Sequence, residues 1–179
     1  MQLPARRVAL AAFLSITGCT LAPANGDSSL TTITSDAWEF EKRENPLFAT
    51  TTDDHRYDAE LPRMANTDLS RRQDSLRMYL SRLERVDTSG LVASDRINRA
   101  MLRDRLSSWL ATLDAGEDRI PILADDGFHI DLAQLPTYAP RETAADVEHY
   151  LVRLNQVPRY LATTALYAAS AAAAFPSAA

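Results

Sequence analysis

The chain has 179 residues, 46% of them apolar and 24% charged, with a formal net charge of −5. That length supports one domain with a real core rather than two. The acidic balance argues against a nucleic-acid partner, and a single cysteine excludes a disulfide framework or a cysteine-rich zinc site.

Glycine is scarce while alanine and leucine are abundant, which favours helix over sheet. An all-α fold is expected, a helical hairpin or bundle with one irregular proline-rich connection. The basic side chains are arginine apart from Lys42, a bias that reads most simply as genome composition.

Residues 1–18 carry Arg6 and Arg7, then an apolar run from Val8 to Ile16. The run is too short for a bilayer core, which takes roughly 20 residues, so it reads as a signal peptide. Ile16-Thr17-Gly18-Cys19 resembles a bacterial lipobox, with Cys19 as the thiol that would be lipidated. The alternative is an ordinary export signal that happens to contain a cysteine. Membrane lipid held through Cys19 is thus the expected partner, and two or three acyl chains would anchor the protein firmly. Thr20 is not the aspartate that commonly retains lipoproteins at the inner membrane. The expected location is the cell envelope, facing the periplasm or exterior, with the outer membrane favoured. Residues 19–34, small and polar with Pro23 and Gly26, read as a flexible tether.

The helical body is expected over 35–162. Ser35 reads as an N-cap, with Asp36 and Glu39 in the first turn, and Asn45-Pro46 ends that helix. Leu47 and Phe48 supply apolar anchors, and Thr50–Asp58 reads as an ordered polar loop. Leu69, Leu76, Leu80 and Leu83 share one face of the next helix, capped by Thr67 or Asp68, with Asp68 and Arg72 as an i,i+4 pair. A short loop leads to a helix capped by Ser94 and closed by Gly116, with Asp95 and Arg99 paired. Its stripe is Leu102, Leu106, Trp109 and Leu113, widened by Met101 and Leu110, and the two helices should pack as an antiparallel hairpin burying these stripes.

From Glu117 to Glu142 three prolines and the lack of helical period predict an irregular segment. It should pack through Ile120, Ile122, Leu123, Phe128 and Leu132. Thr143 and Asp146 have capping-box spacing for a last helix whose apolar stripe is Val147, Leu151, Leu154 and Leu161. Pro158 should kink that helix or start another. Residues 163–179 lose the amphipathic pattern and read as an aberrant or disordered Ala-rich tail.

Three histidines are present, and none lies four residues from another, so the His-Glu-x-x-His zinc motif is absent. His149 reads as a helix-surface residue and His129 as a half-buried one. Asp53-Asp54-His55 beside Tyr57-Asp58 has the composition of a metal or proton-relay site, and equally of a hydrogen-bonded loop pinning the first helix. No Gly-x-Ser-x-Gly, Walker loop or dinucleotide fingerprint occurs. No catalytic, cofactor-binding or metal residue is therefore assigned; Cys19, for lipidation, is the one site residue.

Trp38-Glu39-Phe40, Asn45-Pro46, Ala49-Thr50 and Asp54-His55-Arg56-Tyr57-Asp58 resemble the start of the bacterial family called domain of unknown function 885 (DUF885). The likeness continues through Leu83-x-x-Val86-Asp87, the run from Ser94 to Asn98, Gly127-Phe128-His129 and Tyr150-Leu151-x-x-Leu154-x-x-Val157-Pro158. It covers roughly residues 36–162. The family pattern has glycine where this chain has Asp53. The resemblance implies an exported or lipid-anchored protein related to helical zinc metallopeptidases, whose His-Glu-x-x-His helix lies far downstream.

Zinc and a peptide substrate are accordingly expected only in full-length relatives. The chain itself is expected to be a truncated N-terminal portion, inactive alone, with a shifted frame or early stop after about Thr164. The alternative is a complete small envelope lipoprotein acting as a binding or structural module.

Overall fold

Pro46 and the chain around it set the first structural boundary. In the computed structural model, which describes residues 28–116 and 127–174, helix α1 (Ser28–Glu44) ends two residues before the proline, with Asn45 between them. Helix α2 (Pro46–Thr51) then starts with that proline at its first turn and Asn45 as its cap. Proline suits this position, because its missing N–H would have had no helical partner there. A 3-10 turn (His55–Tyr57) follows, then α3 (Asn66–Glu84), α4 (Ala93–Ala115), α5 (Phe128–Tyr138) and α6 (Ala144–Ala174). Among the described residues there is no strand, and the protein is all-α.

Helix α1 begins at Ser28, not at Ser35, so residues 28–34 of the expected tether are helical. The reason is tertiary. Leu30, Ile33, Ala37 and Phe40 recur every three or four residues and are all buried. That burial outweighs the weak helix preference of Thr31, Thr32 and Thr34. The expected signal peptide, Cys19 and the rest of the tether lie outside the described residues.

The hairpin forms as expected, except that Met101 turns away from the core and is 67% exposed. Leu69, Leu76, Tyr79 and Leu83 of α3 meet Leu106 and Leu113 of α4, and the α1 stripe closes the core. Phe40 sits at its centre, 1% exposed, with its ring 5.4 Å from Tyr79 and 5.6 Å from Trp109. Gly116 caps α4 in the left-handed conformation (φ 71°), as its position after the stripe predicts. The expected N-caps do not act, however. Ala65 and Val92 occupy those positions on α3 and α4 without side-chain caps. The expected intrahelical pairs also give way to contacts between elements: Arg72 turns to Glu44 and Arg99 donates to the Leu83 carbonyl.

A second cluster joins α2, α5 and α6 through Leu47, Leu61, Leu135 and Ala139, with Leu132, Tyr150, Val157 and Tyr160 packed against it. Residues 128–138, expected to be irregular, are helical instead. Leu132 and Leu135 share a face at helical spacing, and Pro136 falls near the end of α5, where the lost hydrogen bond matters least. Ile120, Ile122 and Leu123 lie outside the described residues.

Thr143 and Asp146 form the reciprocal capping box at 2.8 and 3.1 Å. Helix α6 then passes Pro158 unbroken and runs on to Ala174, well into the expected tail. Alanine's high helix propensity sustains it where amphipathicity has ended.

The largest departure is which face of α6 turns inward. Val147, Leu151, Leu154 and Leu161, expected to be buried, are 42%, 53%, 38% and 37% exposed. The inward face carries Tyr150, Arg153, Val157, Tyr160 and Thr164. It is held by polar contacts as well as apolar ones.

Candidate functional site

The densest polar cluster lies where α2 and the 3-10 turn meet α6. Thr52 closes α2 and Asp53 reverses the chain in the left-handed region (φ 64°), the conformation glycine adopts most readily. Aspartate is among the few other residues that tolerate it.

Asp54 caps the 3-10 turn, accepting from the Arg56 backbone N–H, and also takes the Arg56 guanidinium at 2.8 and 2.5 Å. Lys42 Nζ lies 2.7 Å from both Asp54 Oδ2 and Glu39 Oε1, and Arg56 reaches Glu39 Oε2 at 2.7 Å. These four charges form a closed ring between α1 and the turn. Arg56 above all, with Lys42, holds the Asp54 carboxyl far below the usual carboxylate range. The chain's lone lysine is thus a compact donor shared by two carboxylates.

His55 spans two further acids: Nδ1 lies 2.9 Å from Asp58 Oδ2 and Nε2 3.1 Å from Asp53 Oδ1. Partial burial alone would lower its pKa, but the two carboxylates outweigh that and raise it. The other oxygen of the buried Asp58 accepts from the Thr50 hydroxyl at 2.6 Å. Arg153 of α6, fully buried, donates through Nη2 to Thr50 Oγ1 at 2.9 Å and to the Tyr57 carbonyl at 2.7 Å. Gln156 donates to the Ala59 carbonyl one turn along. Arg153 Nη2 also stands 3.6 Å from Asp58 Oδ1.

These contacts hold α2, the 3-10 turn and α6 together. Both nitrogens of His55 and both oxygens of Asp58 are engaged, and the buried Thr50 hydroxyl is committed to Asp58. No base is left facing an available nucleophile, as acyl or phosphoryl transfer would need. Among the described residues no group of three or more His, Cys, Asp and Glu side chains could hold a metal ion. His129 and His149 are both exposed and neither is among the residues that make up the cluster, so His129 is not the half-buried histidine its apolar neighbours imply.

A second charged knot anchors the end of α1. Glu44, with a fully buried side chain, accepts from Arg71 at 2.7 and 2.9 Å and from Arg72 at 3.4 Å; Arg63 lies 3.7 Å away. Burial would raise its pKa, but Arg71, Arg72 and Arg63 overcome this and lower it. Sequence reading singled out neither Glu44 nor Arg153. Their one sequence signal is a charge beside otherwise apolar core positions.

The described residues make an all-helical protein whose polar clusters tie its helices together. The family model described as bacterial protein of unknown function (DUF885) matches residues 46–177, and the chain belongs to that family. The match extends past Thr164, so the Ala-rich stretch lies within the family region and not beyond it. No curated protein and no solved structure matches the chain.

Proposed function

We propose that this chain is the membrane-anchored N-terminal helical portion of a larger DUF885-type, peptidase-like lipoprotein, without catalysis of its own. The observation that carries this reading is the outward apolar stripe of α6. Val147, Leu151, Leu154 and Leu161 line up along one face of α6, all at least 37% exposed. A contiguous apolar face of this kind marks a surface that another element is built to cover. In this reading further helices of the fold cover it and bring the His-Glu-x-x-His zinc site that the 179 residues lack. The lipobox-like run ending at Cys19 supports the anchor. No described helix is long and apolar enough to cross a membrane.

The purified chain should bind an apolar reporter dye through α6, and changing Val147, Leu151, Leu154 and Leu161 together to Gln should abolish that binding while leaving the melting temperature nearly unchanged. It should carry no stoichiometric zinc and hydrolyse no peptide. Robust hydrolysis, or a stripe that binds no dye, would overturn the reading. Cys19→Ser should release the protein from membranes; unchanged fractionation would refute the anchor.

A further inference from the structure

The surface that the fold itself leaves unexplained is a groove of about 780 Å³ between α1 and α4. Its floor and walls include Leu30, Trp38, Met101 and Leu102. Leu30 and Asp95, near the starts of α1 and α4, line the same groove, and further along Glu41 meets Arg105 and Phe40 meets Trp109, so the two helices run parallel and start at the same end of the bundle. The chain also enters at that end, through Ser28. Around the groove the large apolar side chains face water: Met101 is 67% exposed, Ile97, one turn away on α4, 59%, and Trp38 42%.

We propose that this face of the bundle rests on the lipid surface to which the protein is tethered, an inference that depends on the lipid anchor at Cys19. Three observations choose a membrane over other occupants. First, the chain from Cys19 to Ser28 reaches at most roughly 30 Å when fully extended, so the anchored lipid always lies near the end where the groove opens. Tethering raises the local concentration of lipid so far that a modest apolar patch is enough to hold the domain down. Second, the patch is led by a tryptophan, set edge-on to Phe48 with its rings 5.5 Å apart. Lys42 Nζ stands 5.7 Å from the indole ring centre, and a tryptophan that is still 42% exposed suits the boundary between headgroups and acyl chains.

Third, the charges around the groove select the kind of lipid. Asp95 and Asp104 line it, and its cation, Arg105, is already held by Glu41. Anionic headgroups would be repelled, so the fitting surface is zwitterionic.

The test uses the full lipidated chain in phosphatidylcholine vesicles, with a nitroxide on Ile97→Cys or on Met101→Cys; lipidation has already consumed the thiol of Cys19. Met78→Cys is the control, because Met78 is 46% exposed but lines a different groove on α3. Labels at 97 and 101 should become several-fold less accessible to a water-soluble nickel relaxant than the label at 78. Adding phosphatidylglycerol should not increase that protection.

If the chain floats with vesicles while the labels at 97 and 101 stay as wet as that at 78, the docking fails and the anchor stands. If the chain does not float, the anchor fails and the docking with it. Dipolar broadening between copies in the soluble Cys19→Ser form would assign the groove to a second copy instead.

Discussion

Arg153 and Thr50 stand 103 residues apart in the chain, yet the guanidinium of one donates to the hydroxyl of the other at 2.9 Å in a fully buried contact. The contact joins α6 to α2, and Thr50 passes it on to Asp58 and so to His55.

Arg153→Met is therefore expected to lower stability by about 3–5 kcal/mol, since it leaves Asp58 and the Tyr57 carbonyl buried without their cationic partner. Urea denaturation measures the loss. Hydrogen exchange should show where it falls: residues 46–60 and α6 should lose protection first, while α3 and α4 keep theirs. An unchanged midpoint would mean that α6 is held by the apolar cluster alone.

The charged clusters predict stability changes of opposite sign with pH. His55 has a raised pKa in the folded protein, so its contribution is fully present below about pH 6.5 and is lost as pH rises through the raised value. With the ring about half exposed, solvent screens the effect, and it should be small. Glu44 has a lowered pKa, so its contribution is present above its unfolded value and fades as pH falls through the folded one. Denaturation midpoints between pH 3 and 9 should fall at both ends. His55→Gln should flatten only the alkaline side, and Glu44→Gln only the acid side.

Asp53 tests the turn. Asp53→Val should cost roughly 1–2 kcal/mol, because a β-branched residue resists the left-handed conformation that φ 64° requires. Asp53→Gly should shift stability by less than about 1 kcal/mol, since relief of strain is offset by a freer unfolded chain. Thermal melts of the two variants decide it. Equal losses would show that the carboxylate's contact with His55 matters more than the backbone.

The two faces of α6 and its neighbour α5 predict a clear contrast. Leu151→Gln should change stability by no more than about 0.5 kcal/mol, as an exposed site does. Leu135→Ala, at a position with no exposure, should cost about 2–5 kcal/mol. If Leu151→Gln destabilised the isolated chain as strongly, the stripe would already be covered in it.

Local chemistry in the sequence was enough to specify the α3–α4 hairpin, the glycine stop at Gly116, the break at Asn45-Pro46 and the capping box of α6. Each depends on residues within a few positions of one another. The family was legible too, because the order of short motifs from Pro46 through Asp54–Asp58 and onward, within the matched residues 46–177, survives without any knowledge of contacts. Where the reading failed, distant burial had overridden local preference. Threonine-rich Ser28–Thr34 is helical because Leu30 and Ile33 find a core, and residues 128–138 are helical because Leu132 and Leu135 do.

Helical periodicity states which residues share a face, but not which face will be covered. On α6 it correctly aligned Val147, Leu151, Leu154 and Leu161 and then assigned them inward. Tertiary structure turned in Arg153 instead, because its partners, Thr50, Tyr57 and Asp58, are assembled only after α2 and the 3-10 turn have packed. Glu44 is the same case, its charge stabilised by arginines that α3 delivers. The sequence by itself determined the helices and the lineage. The three-dimensional packing decided the polar clasp, the open stripe and the groove, since each depends on residues that meet only across the folded chain.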